Sequence, residues 1–254
     1  MQAFVINLAS SPDRLAYMME QAMEVGLTIE RFPAIRGVEI RDTEVLGSTF
    51  DARLSNGEAG CYASHLSCHQ LILERGLPYG LVLEDDVELD ISFVAVAQAA
   101  AKLAPDNWDY IHLSSNIKRA VHPIQPLPDM ARDLIVYSRL PANMAAYLIS
   151  AQGARKFLTP RPRVRPIDMD VRHGWLMDFN IYGVAPSPAR QTEIFVSDIW
   201  RDEGNRKSLP GQAWSPGFAS ELHGMAWRVG KLGLGTWLSL AADNALRLVK
   251  FRQR

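Results

Sequence analysis

A chain of 254 residues, 48% hydrophobic and 22% charged, has the length and apolar content for one large domain with room for a small appendage. Its formal net charge of −1 gives nucleic acid no electrostatic hold on the chain as a whole, so no nucleic-acid partner is expected. Cys61 and Cys68 do not make a disulfide framework and suit a reducing, cytoplasmic setting, and no run of about 18 apolar residues predicts a membrane span.

The apolar run at residues 4–8 predicts a buried first strand rather than a signal peptide. Ser11-Pro12 then predicts a helix with Ser11 as its cap, Leu15, Met18, Met19 and Ala22 as its apolar face and Gly26 at its end. Residues 28–35 read as a second strand, and a polar stretch follows to about residue 54. Ser55-Asn-Gly-Glu58 has the capping-box pattern ahead of a helix that Gly76 and Pro78 end near residue 75. Residues 79–87 read as a strand, 93–103 as an Ala-rich helix stopped by Pro105, and 108–114 as a further strand. Residues 116–133, with Pro123, Pro126 and Pro128, read as a loop. Two strands are expected at 134–140 and 144–150, a short helix at 151–158, a Pro/Arg-rich extended piece at 159–166 and a late strand at 179–184. Strands alternating with helices predict an α/β sandwich with a largely parallel central sheet.

Four places carry residue types suited to chemistry. The apolar run Leu81 to Leu83 ends in Glu84, Asp85 and Asp86. Three adjacent carboxylates repel one another, and at a strand end they suit a divalent cation; the plainer reading is a solvated acidic turn. In a strand, Glu84 and Asp86 share a face opposite Asp85. The helix after Ser55 places Glu58, Cys61, Tyr62, His65 and His69 on one broad face; a Cys/His zinc site is conceivable there, but one helix rarely supplies a closed four-ligand shell and no second Cys/His group stands elsewhere, and the plainer reading makes Glu58 a capping partner and His65 a buried, hydrogen-bonded histidine. Asp168 and Asp170, with His173 close by, suit a general base or simply a helix N-terminus. Asn7 and Arg14 flank the first strand-to-helix turn, a place for an anion or a plain cap with a surface arginine. There is no glycine-rich phosphate loop, so a nucleotide here would need metal and side chains.

Together these segments resemble glycosyltransferase family 25, the bacterial lipooligosaccharide galactosyltransferases and their collagen-modifying relatives. The pieces that carry the resemblance are Val5-Ile-Asn-Leu8 with Asp13-Arg14, Leu54-Ser-Asn-Gly-Glu-Ala-Gly-Cys61 with Ser64-His65, Leu83-Glu-Asp-Asp86 and Pro166-Ile-Asp168; residues 108–113 and Ser197-Asp-Ile199 fit less specifically. Asn143-Met144 stands where relatives often have Gly-Thr. The resemblance implies a GT-A-type, Rossmann-like α/β domain with a mostly parallel mixed sheet. It further implies a UDP-sugar donor, a glycan or glycolipid acceptor such as lipooligosaccharide, Mn²⁺ (or Mg²⁺), and inverting transfer of a hexose such as galactose. On that basis Asp86 and Glu84 are the expected metal ligands and Asp168, then Asp170, the expected base. Asn7, Arg14, Glu58, His65, Glu84 and Asp85 are the expected donor contacts. The alternative is a non-catalytic nucleotide-sugar or glycan binder on the same scaffold.

The resemblance covers about residues 3–200, so residues 1–205 are expected to form the domain and 206–254 an extension. From residue 222 onward Arg228, Lys231, Arg247, Lys250, Arg252 and Arg254 interleave with apolar residues against a single late acid, Asp243. That pattern suits a basic amphipathic helix lying on the inner face of an anionic membrane, or a terminal helix packed on the domain.

Overall fold

The computed structural model describes residues 1–40, 43–114, 117, 119–192, 194, 195 and 217–252. The expected boundary at 205/206 and Ser197-Asp-Ile199 lie outside them. One eight-stranded sheet spans the domain in the order β2-β1-β3-β8-β5-β9-β7-β6. Its strands are β1 (Ala3–Asn7), β2 (Ile29–Pro33), β3 (Tyr79–Glu84), β5 (Tyr110–His112), β6 (Val121–Leu127), β7 (Arg132–Tyr137), β8 (Ala146–Ser150) and β9 (Ile181–Ala185). The sheet is mixed: β1 runs parallel to β2 and β3, and β5 to β9, while the pairings of β8, β7 and β6 are antiparallel. A separate ribbon pairs β4 (Val87–Leu89) with β10 (Ala189–Gln191).

Strand alternation divides the core in two. Ala3, Val5, Leu81, Leu83, Ala146 and Leu148 face α1 (Pro12–Glu24) and α3 (Phe93–Leu103). Phe4, Ile6, Val82, Tyr147 and Ile149 face α2 (Asn56–Glu74), α4 (Ala151–Phe157) and α5 (Ile167–Arg172). Helices on both faces of one Rossmann-like mixed sheet match the expected GT-A-type α/β class.

Several expectations need correction. Ser11 precedes α1 but makes no side-chain cap hydrogen bond. The strand expected to reach residue 87 stops at Glu84, and Asp85-Asp86 turn the chain into β4. The expected loop at 116–133 contains β6 and the start of β7. Pro123 and Pro126 are tolerated because β6 is an edge strand, where a missing N–H leaves no ladder partner unsatisfied.

The C-terminal part is a hairpin of α6 (Phe218–Leu232) and α7 (Leu234–Arg252), joined at Gly233 with φ 78°. It packs on the domain. Gly224 lies against Trp175 so closely that a Cβ would stand 2.6 Å from the ring. Trp227 Nε1 donates to Asp178 at 2.9 Å, Lys231 bridges Asp178 and Asn180, and Asn244 accepts from the Ala120 amide at 2.9 Å. Arg228 covers the Trp175 ring at 4.9 Å. Arg228 and Lys231 are therefore engaged with the domain, Lys231 from an exposed position. No described helix is long and apolar enough to cross a membrane.

Candidate active site

The site forms where β1 and β3 end side by side. Their parallel register pairs Ile6 with Glu84, which sets Asn7 beside Asp85. The Asn7 amide donates to Asp85 Oδ2 at 2.7 Å and to the Ser11 carbonyl at 2.9 Å, while Arg31 Nε donates to Asn7 Oδ1. Asn7 is 1% exposed, so it braces the acidic turn and does not line the cleft. Because the strand ends at Glu84, Asp85 and Asp86 do not alternate faces. A single nitrogen of Arg14 reaches both, 2.8 Å from Asp85 Oδ1 and 2.9 Å from Asp86 Oδ2. Gln191, on β10, also donates to Asp86 Oδ2 at 3.0 Å. Burial, with Glu84 nearby, pushes the Asp86 carboxyl up to about 6 despite Arg14 and Gln191.

Asp86 Oδ1 is buried and has no hydrogen-bond partner among the described residues. A divalent cation fits that observation: an orphaned carboxylate oxygen beside a second carboxylate, Glu84, is an oxygen donor set of the kind Mn²⁺ or Mg²⁺ takes. Arg14, Glu84, Asp85, Asp86 and Gln191 line one cleft with Cys61, Ser64 and His65 of α2 and residues 34–37 opposite.

The start of α2 has the capping box that its sequence predicts: Ser55 Oγ accepts from the Glu58 amide at 3.0 Å, and Glu58 Oε2 accepts from the Ser55 amide at 2.8 Å. Glu58 thus secures the helix end and is not among the cleft-lining residues, although its charge is felt at Cys61 and Asp168. Two residues of the α2 motif, Gly60 and Ser64, to which the sequence assigns no role, bring α2 against the cleft loop. A Cβ on Gly60 would stand 2.5 Å from the Ile35 carbonyl oxygen and 2.6 Å from the Gly37 nitrogen. Ser64 Oγ accepts from the Ile35 amide at 2.8 Å and donates to the Gly60 carbonyl at 2.7 Å. His65 is fully buried and shares the Tyr147 hydroxyl with His69, at 2.8 and 2.7 Å. Burial and the surrounding carboxylates push the Cys61 thiol up.

The two carboxylates of α5 part company. Asp168 accepts from its neighbour's amide, Met169 N, at 2.8 Å. Burial pushes it up to about 6, and Glu84 and Glu58 add to the rise. Asp170 is buried on another side, where the Tyr62 hydroxyl donates to it at 2.6 Å and Arg161 and Arg165 stand at 3.5 Å. His173 packs against Trp175 with Nε2 3.7 Å from Glu221, away from the cleft. The Pro/Arg-rich piece is anchored by Arg163, which is 0% exposed and bonds Ser48, Tyr62 and the Phe157 and Thr159 carbonyls.

The family model described as Glycosyltransferase family 25 (LPS biosynthesis protein) matches residues 1–171. The chain belongs to glycosyltransferase family 25. Procollagen galactosyltransferase 1-A of Xenopus laevis is 31% identical over 183 residues, covering 66% of this chain and 30% of its own length. A glycosyltransferase 25 family member of Drosophila pseudoobscura pseudoobscura is 30% identical, covering 66% of this chain and 28% of its own. A probable inactive glycosyltransferase 25 family member 3 of Bos taurus is 26% identical over 243 residues, covering 82% and 39%. The chain thus spans between about a quarter and two fifths of these relatives. The family match contains the acidic turn, the α2 motif and both α5 carboxylates, whereas Gln191 and the α6–α7 hairpin lie beyond it.

Proposed function

We propose that this chain is a metal-dependent, inverting glycosyltransferase that moves a hexose, galactose in the first instance, from a UDP-sugar to a glycan or glycolipid acceptor. The observation that carries the reading is the buried Asp86 Oδ1, without a hydrogen-bond partner among the described residues, on a cleft it shares with Glu84; Asp168, which burial lifts to about 6 with Glu84 adding to the rise, is suited to take a proton from an acceptor hydroxyl. The acceptor oxygen attacks the anomeric carbon from the face opposite the diphosphate. The bond from that carbon to the diphosphate oxygen breaks, and the hydroxyl proton passes to Asp168.

Glu84 and Asp86 would hold Mn²⁺ or Mg²⁺, whose chemistry is to neutralise the departing diphosphate. Arg14 keeps Asp85 and Asp86 together, and Asn7 holds Asp85 in place. Ser64, Gly60 and the capping box keep α2 against the cleft loop. The donor sugar is proposed from the relatives named galactosyltransferases.

The relatives named inactive favour a second reading, a nucleotide-sugar or glycan binder without turnover. A screen of UDP-hexoses with Mn²⁺, reading UDP release with and without acceptor saccharides, separates the two. Acceptor-dependent release that Asp168→Asn abolishes supports transfer. Calorimetric binding of UDP with no release on any acceptor supports the binder.

The hairpin adds a location. Phe218, Leu222, Met225, Leu234, Leu238 and Leu246 are exposed on α6 and α7, and the sequence beyond them is basic. An apolar stripe ending in cations suits an anionic lipid surface on which a glycolipid acceptor would be met.

A further inference from the structure

Three ligand-type atoms meet in the cleft wall that the transfer reading does not use together. Cys61 and His65 stand one turn apart on α2, and Glu84 faces them from the end of β3. Cys61 Sγ, a His65 ring nitrogen and a Glu84 carboxylate oxygen all lie within 4.8 Å of one another. His65 is 0% exposed, and its Nε2 has no hydrogen bond among the described residues. What Nε2 faces is Glu84 Oε1, at 3.4 Å.

That separation has a geometric meaning. A nitrogen and an oxygen bound about 2.0–2.2 Å from a tetrahedral metal stand about 3.4 Å apart. The supporting hydrogen bond is also in place, since a metal-bound imidazole generally ties its other ring nitrogen to an acceptor. When the Tyr147 hydroxyl donates to His69 Nε2, its oxygen accepts from His65 Nδ1–H, and the His65 Nε2 lone pair is left aimed at the cluster.

We propose that Cys61, His65 and Glu84 form a binding site for a thiolate-preferring divalent cation, with zinc as the type case and a fourth position open to the cleft. A sulfur–imidazole–carboxylate set selects zinc over magnesium and manganese, which take oxygen shells. The Cys61 thiol gives up its proton to solvent as the sulfur–metal bond forms, so one proton leaves per ion bound. Glu84 is common to this site and to the Glu84–Asp86 pair, so zinc here competes with the other cation for that carboxylate. Zinc here is therefore a brake on transfer. The ligand set stands whether or not the chain turns over a UDP-sugar; only the brake rests on that reading.

Cobalt(II) titration of the full chain tests the site, because a cobalt–thiolate bond gives a near-ultraviolet charge-transfer band that zinc abolishes on displacement. The expected result is that band in the wild type, retained in Cys68→Ser and Asp86→Asn and lost in Cys61→Ser, whose zinc affinity falls by at least about tenfold. Zinc must also shield one of the two wild-type thiols, Cys61, from iodoacetamide, a readout that needs no variant to fold. A wild type without the band, or without the shielding, overturns the site, as does a Cys61→Ser chain that binds zinc unchanged. Asp86→Asn that loses manganese-dependent UDP release while keeping the band shows the two sites to be separate. Zinc inhibition relieved by excess manganese supports the brake; zinc bound with transfer unaffected overturns it.

Discussion

Asp168 and Asp170 sit two residues apart on α5, and their carboxylates serve different neighbours. Asp168 shares the field of Glu84, whereas Asp170 is tied to Tyr62 at 2.6 Å and flanked by Arg161 and Arg165. Asp168→Asn is expected to lower kcat by about 10²- to 10⁴-fold with no loss of stability at neutral pH. Asp170→Ala is expected to lower stability by roughly 1.5–3 kcal/mol, since it removes a charge-assisted hydrogen bond inside the fold. Paired UDP-release and denaturant-unfolding measurements check this; equal loss of kcat with no stability cost in Asp170→Ala would reverse the assignment.

The raised Asp168 gives activity and stability opposite trends with pH. Its ordinary value is 3.8, and burial lifts it to about 6 in the folded chain. Between these values the folded state holds more protons than the unfolded one, so its contribution to stability is full below about pH 4 and is lost as pH rises through about 6. The base is active only once deprotonated, so kcat/KM is expected to climb over the same window. Denaturant midpoints of the wild type and Asp168→Asn across pH 4 to 7 check the sign: the wild type should lose ground relative to the variant as pH rises.

Elements with local signals were legible before the structure. The capping box at Ser55 and Glu58, the Ala-rich α3 and the glycine stops at Gly26 and Gly76 are written in adjacent residues. So was the acidic run at the end of an apolar strand. What depends on distant pairing was not. β6 carries prolines that argue for a loop unless its edge position is known. Gln191 reaches Asp86 only through the β4–β10 ribbon, and Arg163 reads as one arginine among several until Ser48 and Tyr62 close around it. The division of labour among Glu84, Asp85 and Asp86 turned on where β3 ends, which alternation alone does not give. Gly60 had a signal, a glycine inside a helix, whose meaning appears only beside Ile35 and Gly37.

That close approach predicts opposite effects for two glycine substitutions. Gly60→Ala drives a methyl into backbone atoms of residues 35 and 37, which cannot rotate aside, and is expected to cost about 1–3 kcal/mol and to displace the cleft loop. Gly230→Ala, in α6, meets nothing within 4 Å among the described residues and is expected to stabilise by up to about 1 kcal/mol through helix propensity. Unfolding midpoints of the two variants should move in opposite directions, and a stabilised Gly60→Ala would deny the packing role.

Arg14 is the cation that balances the acidic turn in the absence of a metal. Its removal in Arg14→Ala leaves Asp85 and Asp86 buried together, at a cost on the order of 3–5 kcal/mol. A divalent ion at Glu84 and Asp86 should replace part of that charge. The thermal midpoint of Arg14→Ala is therefore expected to rise more on adding Mn²⁺ than that of the wild type. Equal shifts in the two chains would place the ion elsewhere.

The α6–α7 hairpin can be tested for membrane contact without removing it. Deletion would uncover Trp175 and break the Asp178 contacts, confounding any result with lost stability. Leu222, Leu234 and Leu238 are 45%, 59% and 52% exposed, so changing all three to Ser leaves the docked face intact. The wild type is expected to co-sediment with anionic vesicles in a salt-dependent way and less with neutral ones, because apolar insertion and the terminal cations act together. The triple variant should keep its thermal midpoint and lose most of that sedimentation. Sedimentation unchanged by the three substitutions, or absent in the wild type, would leave α6 and α7 as packing helices whose exposed leucines touch no bilayer.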